Sequence, residues 1–176
     1  STIDVYHKGV MMNKNLFDLT GKTAIVTGGN GGLGLGMAKG MAQVGANIVV
    51  AARNDDKTDA AVKELEALGT EVIGINVDVA DENSVSGMVS KSIETFETID
   101  ILVNNAGIGI RKLPQEYSLE EWNKVMDVNL TGTFLCAREI YDHMKSKGSG
   151  KIINIGSMTS IFGLDWAAPY ASSKGG

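Results

Sequence analysis

The apolar run Thr23-Ala-Ile-Val-Thr27 leads straight into Gly28-Gly-Asn-Gly-Gly-Leu-Gly34, and then into a helical pattern from Leu35 to Val44 that ends at Gly45. A strand that is apolar at every position is buried on both faces. Glycines between such a strand and a helix reach backbone conformations closed to other residues, and they let the chain approach a ligand closely. The helix start then offers unpaired N–H groups and the positive end of its dipole, which suits a pyrophosphate. Gly28, Gly32 and Gly34 are read as the glycines that matter, with Asn30, Gly31 and Leu33 completing the loop. Because this loop follows the first strand of a β-α-β series, dinucleotide binding is the expected use.

The alternation continues down the chain. Asn47 to Ala52 is a second buried strand, followed by a helix from about Asp55 to Leu68 that Gly69 closes. Glu71 to Val77 is a third strand, and Asp81 caps a helix running to about Thr95. Asp100 to Asn104 is a fourth strand; Ser118 and Glu121 have capping-box spacing and open one long helix to about Lys145. Gly148-Ser-Gly150 precedes a fifth strand, Lys151 to Ile155. Apolar strands separated by amphipathic helices imply an α/β fold, a parallel sheet covered on both faces. Residues 1–19 read as a loosely held polar arm and 20–176 as one dinucleotide-binding domain. With 176 residues, 43% of them hydrophobic, that domain has enough material for a sizeable core.

Composition narrows the partners. A net charge of −5 with no basic stripe argues against nucleic acid. No apolar run approaches the roughly 18 residues of a membrane span, and the opening residues lack a signal-peptide layout. The single Cys136 rules out an internal disulfide. A cytoplasmic protein without a membrane partner is expected, and the lack of any Cys/His cluster with ligand spacing gives no reason to expect a metal. Cys136, His143 and the eight methionines are read as packing or surface residues.

Two places carry chemistry beyond the glycine loop. At the tip of the second strand an acidic residue would bind the adenosine ribose hydroxyls, whereas an arginine suits a 2′-phosphate. Arg53 stands there and favours NADP over NAD; its alternative is a surface arginine paired with Asp55 or Asp56. Further on, Ser157 in Gly156-Ser-Met-Thr-Ser160 is followed by Tyr170-Ala-Ser-Ser-Lys174. A tyrosine and a lysine at i, i+4 share one side of a helix. An ammonium close to a phenol favours the phenolate, so a group with a free pKa of about 10 exchanges protons nearer neutrality. Ser157 would return beside the tyrosine if strand, loop and helix fold over one another. Taken alone, the Tyr-Lys pair also reads as a solvated helix face.

From Leu19 onward the chain resembles the short-chain dehydrogenase/reductase family. The resemblance rests on Thr27-Gly-Gly-Asn-Gly-Gly-Leu-Gly34, Asp78-Val79, Asn104-Asn-Ala-Gly107, Asp127-Val-Asn129, Ser157 and Tyr170-x-x-x-Lys174, in that order. It implies a Rossmann-type doubly wound parallel sheet and an NADP(H)-dependent oxidoreductase that interconverts a secondary alcohol and a ketone. It further implies that Asp78 accepts a hydrogen bond from the adenine, with Val79 beside it, and that Asn105, Ala106 and Gly107 line the cofactor. Tyr170 would be the general acid/base and Ser157 would orient the carbonyl. Lys174 would hold the nicotinamide ribose and lower the tyrosine pKa, while Asn129 would position a water that relays protons to Lys174.

Within the family, Gly150 to Ser160 and Ala168 to Gly176 look most like the gluconate 5-dehydrogenase and 2-deoxygluconate 3-dehydrogenase branch, with 3-oxoacyl-carrier-protein reductases a close second. Arg111 or Lys112 would meet a sugar-acid carboxylate, and Trp166 would wall the pocket. The family's dimerisation surface, formed by the long helix and the one near Tyr170, implies a homodimer or homotetramer. Family members continue past Gly176, so the chain reads as truncated after the fifth strand and the start of the active-site helix. A catalytically incomplete dinucleotide-binding module is therefore the competing class.

Overall fold

The computed structural model describes residues 16–176. Five strands, β1 (Thr23–Thr27), β2 (Asn47–Ala52), β3 (Val72–Asn76), β4 (Ile101–Asn104) and β5 (Lys151–Asn154), form a parallel sheet in the order β3-β2-β1-β4-β5. The connections carry α1 (Gly32–Gln43), α2 (Asp55–Glu66), α3 (Glu82–Phe96), α4 (Leu119–Met126) and α5 (Gly132–Ser146). Two shorter helices, α6 (Thr159–Phe162) and α7 (Ala168–Gly175), follow β5. This is the α/β, Rossmann-type doubly wound sheet that the sequence predicts.

Successive strand residues point to opposite faces, which is why the central strands are apolar throughout. Ala24, Val26, Ile48 and Val50 pack with Ala38 of α1 and Leu65 of α2. Ile25, Val49 and Leu102 pack on the other side with Met88 of α3 and Ile140 of α5. The chain steps outward from β1 to β3 and then returns across β1 to β4. Ligands bind in such sheets at the carboxyl ends of the strands, where the order reverses.

Four expectations are refined. First, α1 begins at Gly32, inside the glycine run. A Cβ on Gly34 would lie 2.2 Å from the Gly28 oxygen, so only glycine lets the first turn close against the loop. Second, the single helix expected from Ser118 to Lys145 is interrupted by a π-helical segment, Asp127–Thr131, between α4 and α5. A π-turn adds one residue to a turn without ending the helix, and no glycine or proline within the segment marks it in the sequence. Third, helices do not cover β5 as they cover its neighbours among the described residues: all four of its positions are exposed, with Ile152 at 40% and Ile153 at 44%. Fourth, residues 1–15 of the expected arm lie outside the described residues, but Leu19 at its end is not loose. Its N–H donates to Val44 O at 2.8 Å. Gly45, at φ +97, makes room for Thr20, whose Oγ1 would sit 2.7 Å from a Cβ there.

At the opposite end of the sheet from the glycine loop, buried Asp100 ties β1, β4 and α5 together. Its carboxylate accepts from Thr23 N–H, Lys22 Nζ and Lys147 Nζ, each at 3.1 Å. His143 Nε2 accepts from Ile99 N–H at 3.1 Å beside it.

Candidate active site

The site grows from the junction of β1 and β4. Thr27 Oγ1 accepts from the N–H groups of Asn105 and Ala106, at 3.0 and 3.1 Å. Asn105 Nδ2 returns to Thr27 O and Gly28 O, at 3.0 and 3.2 Å. The glycine loop and the Asn-Asn-Ala-Gly segment are thereby locked into one piece. Gly28 turns there at φ +65, and a Cβ on it would lie 2.9 Å from Asn105 Nδ2. Asn30 carries the lock outward to α2 through Thr58 Oγ1, at 3.1 Å. Gly31, Gly32 and Leu33 form the exposed lip of the loop, with Leu33 76% exposed.

A cavity of about 230 Å³ opens along the ends of β1 to β4, bordered by Gly28, Arg53, Asp78, Val79, Ala106 and Gly107. Half of the residues predicted to hold a dinucleotide, Asn30 among them, thus converge on one groove. Arg53 stands at its mouth with a guanidinium nitrogen 4.0 Å from Asp78 Oδ2. The expected alternative, a pair with Asp55 or Asp56, is not formed; Asp55 instead accepts from Asn76 Nδ2 at 2.6 Å. Two half-exposed charges at that separation attract only weakly in water, so the arginine remains available to an anion. Asp78 Oδ1 accepts from Ala80 N–H at 3.0 Å.

The second half of the site stands on α7 and the π-segment. Asn129 is buried and its amide is engaged: Oδ1 accepts from Ile108 N–H at 2.8 Å. Its Nδ2 donates to Ile108 O at 2.9 Å and to Ser173 Oγ at 3.0 Å. Ser173, between the tyrosine and the lysine, donates in turn to Tyr170 O at 2.8 Å. Lys174 Nζ donates to Ile155 O at 2.7 Å, and burial holds its pKa below the ordinary 10.5. A Cβ on Gly107 would come within 3.4 Å of Asn129 Oδ1 and 3.7 Å of Lys174 Nζ, so both groups face the same bare glycine.

Tyr170 packs its ring over Gly109, where a Cβ would lie 3.5 Å from Cδ2. It also lines a cavity of about 330 Å³ with Arg111, Leu164 and Trp166. Ser157 does not hydrogen-bond the tyrosine: its Oγ accepts from Thr159 N–H and Thr159 Oγ1, at 3.2 and 3.0 Å. What fastens its segment to α7 is Ser160, whose Oγ donates to Lys174 O at 2.6 Å. Of the two cations expected to meet a carboxylate, Lys112 is paired with Glu121. Arg111 instead lies over the Trp166 ring, 5.0 Å from its centroid.

Cys136 is buried in the core, and that burial pushes its thiol up to about 12. Among the described residues, no group of three His, Cys, Asp or Glu side chains is placed to hold a metal, and no helix is long and apolar enough to cross a membrane. Three contributors escaped the sequence reading. Thr27 and Ser173 lay inside motifs already singled out, and Ser173 is i+3 to Tyr170 on the same helix side. Tyr117, whose hydroxyl lies 2.5 Å from Ile110 O, left no signal at all.

The sequence model of a family described as short chain dehydrogenase matches residues 22–176. Over 94% of its length the chain is 40% identical to a 2-dehydro-3-deoxy-D-gluconate 5-dehydrogenase of Formosa agariphila, of which it covers 63%. Over 90% it is 38% identical to a 3-oxoacyl-[acyl-carrier-protein] reductase of Synechocystis, of which it covers 64%. The crystal structure of an NAD+-bound xylitol dehydrogenase superposes with a TM-score of 0.87 at 32% identity, over 89% of this chain and 61% of that one. The chain therefore spans just under two thirds of the length of these relatives.

Proposed function

The chain belongs to the short-chain dehydrogenase family, and on that footing we propose that it serves an NADP(H)-dependent oxidoreductase interconverting a secondary alcohol and a ketone on a sugar acid or similar small polar substrate. The observation that carries the reading is the continuity of the site. A groove bordered by the glycine loop, Arg53 and Asp78 runs to Gly107, and the next bare position, Gly109, lies under the ring of Tyr170.

The residues present fit a dinucleotide. The close approach of Gly34 to Gly28 opens the backbone to a pyrophosphate. Gly28, Asn30, Gly31, Gly32, Leu33 and Gly34 would hold the diphosphate, and Arg53 the 2′-phosphate. Asp78 and Val79 would meet the adenine, and Asn105, Ala106 and Gly107 the middle of the molecule. Tyr170 and Lys174 would contact the nicotinamide ribose. When bound, the nicotinamide supplies or accepts the hydride.

The chain's own residues then manage a proton. Tyr170 gives its phenolic proton to the substrate oxygen in reduction and withdraws it in oxidation. Ser157 turns its hydroxyl from Thr159 to the same oxygen and fixes the carbonyl's orientation. Lys174, anchored on Ile155 O and lowered in pKa by burial, passes protons toward the tyrosine. Asn129 keeps one Oδ1 lone pair for a water facing Gly107, beside the Lys174 ammonium. Arg111, backed by Trp166, supports an acidic substrate, since its guanidinium stands by the Tyr170 cavity while Lys112 is taken by Glu121. Loss of NADPH absorbance is followed with keto sugar acids, 3-oxoacyl thioesters and uncharged ketones. Turnover strongest with the keto acids is expected, and it should fall selectively in Arg111→Ala. Cofactor binding without turnover on any ketone would instead mark a binding module.

A further inference from the structure

We propose that Tyr117 is a positioning residue for the substrate wall: its hydroxyl clamps the loop after β4 to the segment before α7 and so holds Arg111 against Trp166 beside Tyr170. The inference rests on the reading above that Arg111 faces an acidic substrate.

The phenol sits where two loops meet. Its proton goes to Ile110 O at 2.5 Å, and Trp166 O lies 3.4 Å away. Lys112 N–H, which donates to Trp166 O at 3.0 Å, also leans on the same hydroxyl at 3.3 Å. The residues on either side of Arg111 are thus both bonded to Tyr117, and Lys112 is bonded to the backbone of Trp166 as well. A guanidinium carried on a loop would ordinarily sample many rotamers; here its ring partner and its own backbone are fixed to one another. The clamp itself is rigidly based. Tyr117 directly precedes the capping box in which Ser118 and Glu121 bond reciprocally, at 3.1 and 3.0 Å. Glu121 also takes the Lys112 ammonium, and Glu116 accepts from Leu113 N–H at 2.9 Å. A pocket wall held before substrate arrives loses less rotamer freedom on binding.

The test uses Trp122→Phe, which leaves Trp166 as the remaining tryptophan of the two, as the parent. Tyr117→Phe removes the hydroxyl and keeps the ring. In this background it is expected to red-shift Trp166 emission and to abolish the further shift caused by Arg111→Ala. KM for a keto acid should rise roughly threefold to tenfold, the size of one modest hydrogen bond. For the uncharged ketone of the same skeleton, both kcat and KM should stay as in the parent. Unchanged emission, additive effects of the two substitutions, or an equal change for both ketones would overturn the role. If Arg111→Ala itself leaves keto-acid preference intact, the substrate reading fails instead, and the emission cycle alone then decides the clamp.

Discussion

Arg53 shows what a residue's place in a motif suggests and what only geometry adds. Its position at the end of β2 already pointed to a 2′-phosphate, but the sequence offered Asp55 and Asp56 as equally near partners. The fold removes both and sets the guanidinium 4.0 Å from Asp78 at the mouth of the groove. Arg111 and Lys112 could not be told apart in sequence; Glu121, brought close by the start of α4, claims the lysine. Asn129 was legible as a buried amide with a partner, yet its attachments to Ile108 and Ser173 required the π-segment to be known. For Arg53→Ala, titration should show NADPH affinity reduced about 10-fold to 100-fold, the worth of a charge-assisted contact, with NADH affinity nearly unchanged. Equal losses for the two nucleotides would remove the 2′-phosphate assignment.

At the scale of elements, strands announce themselves because burial on both faces demands unbroken apolar runs, and β1, β2 and β4 were legible for that reason. Side-chain patterns say less about where a helix meets a loop. The early start of α1 is set by the collision a Cβ on Gly34 would make, and the break between α4 and α5 by one extra residue in a turn. The tie among β1, β4 and α5 was not legible, because Lys22, Asp100 and the His143–Lys147 turn are distant from one another in sequence. It makes a pH prediction. His143 has a folded pKa below its ordinary 6.5, first through burial and then through the charge of Lys147, with Asp100 opposing. The unfolded chain therefore binds a proton first as pH falls, so stability is full above about pH 6.5 and declines below it. Asp100 lies below its ordinary 3.8: burial raises it, but the bonds from Thr23, Lys147 and Lys22 together outweigh that. Its contribution is full above about pH 3.8 and is lost as pH falls through the folded value. Thermal melts across this range should show both declines. His143→Gln, whose amide oxygen still accepts from Ile99 N–H, should erase the first and spare the second. A first decline that persists in this variant would place the sensitive group elsewhere.

For the molecule as a whole, the doubly wound order and the two-sided core were legible because each connection alternates strand and helix. The exposure of β5 agrees with the reading of a chain truncated after the fifth strand: Lys151–Asn154 sets two isoleucines between polar residues, and how far they are covered depends on what packs beside them. Ile152, Ile153, Ile161 and Phe162 all face outward, between 40% and 77% exposed. What unites the fold is that the glycine groove and the Tyr170 cavity open along the same edge, over Gly107 and Gly109. The most direct measurement is on Tyr170→Phe, with cofactor affinity and turnover read on the same preparation. Cofactor binding within about twofold of the parent and a kcat lowered about 10²-fold to 10⁴-fold are expected of a lost general acid. A kcat that stays near the parent value would contradict the assignment of the proton to Tyr170 and, with it, the proposed reaction.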